Sequence, residues 1–272
     1  MPLQFNRQVR VDLDGRSLSG LRIRFRVRKT RSKVPNEATV EIYNASGATV
    51  GAASSGEMRL YAGYLFNPPL LSAGEIRSVS LDRRPPDAAL IIEAQEGINT
   101  LREKRVSLSF EAGATVKQII EAIAETLEAV VRPLDSLDLS AVMRGGFAHV
   151  GGAGEALDAA VSRIKGFWSL QNGELQILPE SGRVERAPVL LSPVTGMLYS
   201  PERVEARLST EKAGAKPRTG YRVTCLLQPQ IEPGDPVVLV STLVSGEFVV
   251  DEVIHRGDTH GPEFHTIATV FS

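Results

Sequence analysis

Apolar and polar positions change period twice along the chain. From residue 3 to about 106 the period is two. Leu21, Ile23, Phe25 and Val27 alternate without a miss with Arg22, Arg24, Arg26 and Arg28. One strand face is therefore apolar and the other carries four guanidiniums. Segments 38–43, 58–62, 75–81 and 90–95 read as further strands. They are bounded by Pro35-Asn36, Asn67-Pro68-Pro69, Arg84-Pro85-Pro86 and Glu96-Gly97. Turns this dense predict an antiparallel barrel or sandwich rather than βαβ units.

Between about 106 and 180 the period becomes 3.6. Val116, Ile119, Ile120, Ile123, Ala124, Leu127 and Val131 share one helical face. Thr115 with Gln118 forms a capping box, and Arg132-Pro133 is the expected stop. A second helix is predicted from about 154 to 165, burying Leu157, Ala160, Val161 and Ile164 and ending at Gly166. Segments 167–171 and 174–178 then read as a hairpin closed by Asn172-Gly173. Past 184 the period returns to two. Strands are expected at 221–227, 236–242, 247–255 and 264–271, separated by Pro, Gly and Asp. Few of these terminal residues remain for a pocket. The polar stretch 209–219 is expected to be mobile. The expected division is 1–105, an α/β insert at 106–182, and 183–272, with strands free to be shared between the outer regions.

Charge changes this picture only locally. The 272 residues hold 31 Lys or Arg against 32 Asp or Glu, which argues against a general polyanion binder. Residues 1–33, however, hold ten basic residues against only Asp12 and Asp14. The single cysteine, Cys225, excludes an internal disulfide and fits a reducing compartment. The first residues lack an apolar signal region, and no stretch reaches the ~18–20 apolar residues of a membrane span. A soluble protein made in a cytoplasm, with no membrane insertion, is the expectation. The sequon Asn44-Ala45-Ser46 then reads as chance.

Candidate chemistry is sparse. Side chains at alternate positions of the arginine strand lie about 6.6–7 Å apart, close to the phosphate step of an extended nucleic-acid strand. A nucleic-acid groove usually adds stacking aromatics, and Phe25 points the other way. Pairing with acids on a neighbouring strand, or cover by an acidic partner, is the favoured reading. Residues 147–157 imitate a dinucleotide fingerprint with Glu174 downstream. Leu157 is too large for the third glycine position, and Glu174 falls just past a hairpin turn. Ser162-x-x-Lys165 lacks the companion elements of the penicillin-binding enzymes. His255, His260 and His265 lie near Asp251, Glu252, Asp258 and Glu263, and His255 could meet His265 across a hairpin. Their spacing matches no zinc signature. No catalytic residue, cofactor or metal ligand is assigned.

The order of several segments carries a resemblance. These are 21–29, PNEATVEIYN at 35–44, LYAGY at 60–64, GEALD at 154–158 and WSLQNGELQILP at 168–179. SPVTGM at 192–197, CLLQP at 225–229, Pro233-Gly234 and HRGDT at 255–259 complete the set. Together they resemble the baseplate hub proteins of contractile-tailed bacteriophages, including the T-even hub and the hub part of type VI secretion spikes. Ala45 stands where that likeness expects a leucine. The resemblance implies a mainly β protein with two tube-like antiparallel β-barrel domains plus the small α/β insert.

It further implies a homotrimer whose pseudo-sixfold ring adapts a hexameric tail tube to a trimeric spike and forms part of the ejection channel. The implied partners are the spike protein and a tube or tube-initiator protein, with wedge and tape-measure proteins as further candidates. The implied setting is the virion. On this view Arg22, Arg24, Arg26, Arg28, Lys212, Lys216 and Arg218 are candidate protein-interface residues, with the arginine face covered by protein rather than lining the channel. The competing expectation is a nucleic-acid- or cell-wall-glycan-binding module, with the helix at 115–131 and the following hairpin as a LysM-like fragment and the arginine face as a polyanion site. A third is a metallohydrolase built on the terminal histidines.

Overall fold

Period two in the sequence becomes one continuous sheet in the computed structural model. The structure describes residues 6–97, 104–132, 138–179, 182–208, 210 and 216–272. The first region contributes β1 (Gln8–Leu13), β2 (Arg16–Leu18), β3 (Ile23–Thr30), β4 (Glu37–Tyr43), α1 (Gly47–Ala52), β5 (Glu57–Gly63), β6 (Leu70–Arg84) and β7 (Asp87–Gln95). The middle region contributes β8 (Arg105–Phe110), α2 (Val116–Leu127), β9 (Val130–Val131), β10 (Phe147–Gly152), α3 (Ala153–Val161), β11 (Gly166–Gln171) and β12 (Glu174–Pro179). The last region contributes β13 (Val189–Leu191), β14 (Glu202–Ala206), β15 (Arg218–Leu226), β16 (Pro236–Val240), β17 (Ser245–Asp258) and β18 (Phe264–Phe271).

The main sheet runs β14-β15-β18-β17-β3-β4-β7-β6-β5-β1-β2, with β16 on β17 and β13 on β16. Its seam is β17 against β3, antiparallel, with Gly257 opposite Phe25 and Arg256 opposite Arg26. That pairing welds the last region to the first. The expected mainly β build with a small α/β insert is present. Closure into tube-like barrels is not what the pairings give: among the described residues every sheet is open. The last and first regions share a sheet edge to edge, so the backbone groups of β17 and β3 are satisfied by one another.

Three apolar clusters lie behind this surface. One gathers Val11, Ile23, Val27, Ile42, Leu60 and Ile92 from the first region. A second is confined to the insert, with Ile119, Ile123, Leu157 and Trp168. The third gathers Val223, Val237, Val250 and Val270. At the seam, a Cβ on Gly257 would sit 2.3 Å from the Phe25 ring and 3.0 Å from Phe264. The two rings meet edge to face at 6.1 Å over this glycine.

Helix ends depart from expectation in instructive ways. The Thr115–Gln118 capping box forms. The helix stops at Leu127, however, because Glu128 turns left-handed at φ 56° and frees Val130–Val131 to pair in parallel with β12. After α3 the chain tightens into a 3-10 turn over Ser162–Ile164. Lys165, not Gly166, takes the left-handed position, at φ 50°. Gly166 is needed instead for packing, since a Cβ there would lie 2.9 Å from the Leu178 carbonyl oxygen. The short α1, capped by Ser46, has no periodic signal in the sequence.

Candidate interface: the arginine face and the polar junction behind it

On the outward face of β3, acids from two other strands, β4 and β17, and from the loop before β18 meet the arginines. Arg22 donates to Asp258 at 2.9 Å and lies over the Tyr43 ring at 4.7 Å. Arg24 meets Glu41 at 3.3 Å, Asp258 at 3.6 Å and Glu263 at 4.0 Å. Arg28 pairs with Glu252. Burial alone would raise the Asp258 carboxyl. The Arg22 guanidinium and the backbone N–H groups of His260 and Gly261 overcome it and hold the pKa down at about 2. The predicted cross-strand pairing with acids is therefore present for three of the four arginines.

The fourth, Arg26, is exposed and stands directly opposite Arg256. No hydrogen bond or ion pair joins either side chain to another described residue, and the Nε of Arg256 is buried without a partner. The two line a groove of about 210 Å³ with Arg24, Thr39, Glu41 and Glu263.

Behind the face lies a second charged region. The alternation of β3 continues inward to Lys29 and Arg31, which are 1% and 2% exposed. Lys29 donates to the Asn172 side chain at 3.0 Å and lies 3.6 Å from Glu232. Arg31 pairs with Asp251 at 3.1 Å and donates to the Gly182 carbonyl at 3.0 Å. Asn36 donates to Glu96, to the Leu170 carbonyl and to Gln171, and accepts from the Thr30 N–H. Gly173 N–H donates to Glu96 at 2.6 Å. Arg132 bridges Glu174 at 2.6 Å and Glu232 at 2.7 Å. All three regions of the chain thus converge on one buried polar junction.

The junction shifts its carboxyls in different directions. Burial raises Glu96, against the pull of Lys29 and the hydrogen bonds of Asn36 and Gly173. Burial would also raise Glu232, but Lys29 and Arg132 hold it below the usual range. Asp235, 1% exposed, is pushed up to about 7 by burial despite its 2.7 Å contact with Arg186. His255 is fully buried beside Lys29 and falls to about 3, with Nδ1 on the Thr266 hydroxyl at 2.9 Å. These are the signs of a structural lock, since Lys29 and Arg132 meet Glu232, Arg31 meets Asp251 and Arg186 meets Asp235. The sequence signal for it was Lys29 and Arg31 at core parity in β3.

Other expected residues scatter. Lys216 is exposed, and Arg218 opens β15 opposite Ala206, so the end of the polar 209–219 stretch is strand. Lys212 lies outside the described residues. His255 and His265 do not approach one another, because His255 is opposite Thr266 while His265 is opposite Arg256, on the other face. No group of three or more metal-ligating side chains occurs among the described residues. Glu174 lies opposite Gln171 on the antiparallel hairpin, as its position past the turn suggested, and on its other side pairs in parallel with Val130. Ser162 is bound to the Ala159 carbonyl. A second groove, apolar and about 250 Å³, lies between the first and last regions, lined by Tyr64, Leu65, Leu190 and Leu227. Its neighbour Phe66 is 94% exposed.

No protein-family model matches the sequence, and no curated protein matches it. The fold has clear counterparts among solved structures. A tail protein from Neisseria meningitidis MC58 superposes with a TM-score of 0.69 at 11% identity, covering 98% of this chain and 96% of that one. A prophage MuSo2 tail protein from Shewanella oneidensis gives 0.68 at 8% identity, covering 98% of both chains. The E. coli c3393 protein, a type VI secretion component described as structurally similar to the T4 phage tail proteins gp27 and gp5, gives 0.57 at 11% identity over 96% of this chain and 77% of that one. The chain is similar in fold to phage tail proteins and to a type VI secretion component.

Proposed function

We propose that the chain is a structural hub of a phage-type tail baseplate. In this reading three copies form a ring that adapts a hexameric tube to a trimeric spike and surrounds part of the ejection channel. The outer regions, 1–105 and 183–272, act as the two tube-like units and the insert at 106–182 projects from them. The protein has no catalytic role, assembles in the bacterial cytoplasm and resides in the virion tail. Its partners are further copies of itself, a spike protein and a tube or tube-initiator protein, with wedge and tape-measure proteins as additional contacts.

One observation carries the reading. Likeness to two tail proteins spans 98% of this chain and 96% or more of each of theirs, so the whole architecture is shared rather than one module. The arginine face weighs against the nucleic-acid alternative, because acids already occupy Arg22, Arg24 and Arg28. That face is assigned to contact with protein and turned away from the channel.

Native mass measurement and electron microscopy, on the chain alone and co-expressed with a candidate spike protein, test the proposal. Threefold rings in either sample are the expected result. Monomers in both, together with salt-dependent binding to DNA or peptidoglycan, would move the protein to the binding-module class.

A further inference from the structure

Across four strands runs a row of side chains unlike its neighbours on the same face: Thr39 on β4, Arg26 on β3, Arg256 on β17 and His265 on β18. The adjacent row, Glu41–Arg24–Asp258, alternates in sign. The row beyond Arg26 on the other side sets Arg28 opposite Glu37, with Glu252 bound to it. In the middle row two arginines stand directly opposite one another, and neither side chain is paired with a carboxylate of a described residue. The nearest acid along that row is Glu93, one strand past Thr39 and held by the Ser78 hydroxyl at 2.7 Å. Like charges directly opposite on a sheet destabilise it, and a buried guanidinium Nε without an acceptor adds a desolvation cost. Both costs vanish if an anion bridges the pair.

We propose that Arg26 and Arg256 form a carboxylate-binding point, filled by an aspartate or glutamate of a protein partner that enters the groove beside Thr39. A forked guanidinium matches a carboxylate in two parallel hydrogen bonds, and two forks facing one groove can each donate to it. The surroundings select a single carboxylate over a polyphosphate. Arg22, Arg24, Arg26, Arg28 and Arg256 on this face are accompanied by Glu37, Glu41, Glu93, Glu252, Asp258 and Glu263, so the face as a whole carries no excess of positive charge. A nucleic-acid strand would bring successive phosphates against Glu41 and Glu263, which line the groove. One carboxylate passes between them to the two unpaired cations. The source of the acid, a neighbouring assembly protein, rests on the hub reading; the chemistry of the site does not.

The test uses the full chain with 15N-labelled arginine. A peptide of glycine and serine carrying one central glutamate is titrated against a glutamine counterpart and against oligothymidylate. The Nε–H signals of Arg26 and Arg256, assigned with R26Q and R256K, should shift saturably with the glutamate peptide and not with the glutamine one. R26E supplies the missing carboxylate within the chain, so it should melt about 2 °C or more above R26Q and show no peptide response. Equal response to both peptides, tighter response to oligothymidylate, or R26E no more stable than R26Q would each overturn the proposal. Because every measurement is made on the isolated chain, failure here with rings still forming leaves the hub reading intact. A responsive site in a chain that never assembles would sink the hub reading instead.

Discussion

A single stretch of chain, β3 with the residue on either side of it, carries two sets of cations that fold chemistry treats in opposite ways. Outward-facing Arg22, Arg24 and Arg28 are about two-fifths exposed and meet acids at the surface, with Asp258 the one buried partner among them. Inward-facing Lys29 and Arg31 are all but sealed and meet acids inside the molecule. In water the attraction between such charges is small, and holding two long side chains together costs entropy. In the interior the attraction is far stronger, and an unpaired charge cannot be relieved by solvent. The outer strip can therefore be rearranged by a partner at little cost, while the inner junction locks the three regions of the chain to one another.

The contrast predicts a graded series of effects. Lys29→Met removes the cation shared by Glu232 and Asn172. It should cost about 3–5 kcal/mol, the range for breaking a buried pair, measured by denaturant unfolding. Asn36→Ala removes donors to Glu96, Leu170 and Gln171 and the acceptor for Thr30. About 2–3 kcal/mol is expected, since one of the lost bonds goes to a charged group. Arg28→Ala, on the outer strip, should cost less than about 1 kcal/mol, and that loss should shrink further as salt rises. A cost for Arg28→Ala equal to that for Lys29→Met would erase the distinction.

Acidity sharpens the same comparison. The folded chain holds His255 neutral, with its pKa lowered from 6.5 to about 3. Its contribution to stability is thus complete above pH 6.5 and is lost as pH falls towards 3. Asp235 is raised from 3.8 to about 7, so its contribution is complete below pH 3.8 and is lost as pH rises to 7. Relative to H255Q, the parent protein should lose stability on acidification from pH 6.5 to 4. Relative to D235N, it should lose stability over the same interval in the other direction. Unfolding curves at several pH values check both signs, and parallel profiles for all three proteins would contradict them.

Much of the fold was legible because side-chain parity and helical period are local. The alternation at 21–28, the Thr115 capping box and the Asn172-Gly173 hairpin all formed as read. The end of α2 was misread because Val131 continues the apolar face of the helix while its backbone is claimed by β12. The histidine pairing failed for a similar reason. His265 pairs with Arg256 rather than His255, and a shift of one residue moves a side chain to the opposite face of the sheet. Lys29 and Arg31 stood in plain view at inward positions, but nothing nearby in sequence announced their partners.

The sequence by itself determined which faces of its strands and helices would be apolar, and that four arginines would share one of the others. Only the tertiary structure decided which of those arginines would find an acid. Asp258 reaches Arg22 across 236 residues and Asp251 reaches Arg31 across 220. Alternation is fixed by the geometry of consecutive peptide units, whereas a charge's partner depends on where the chain returns after forming all the strands between. That return, β17 laid against β3, also set Arg256 opposite Arg26 and left the pair without an anion.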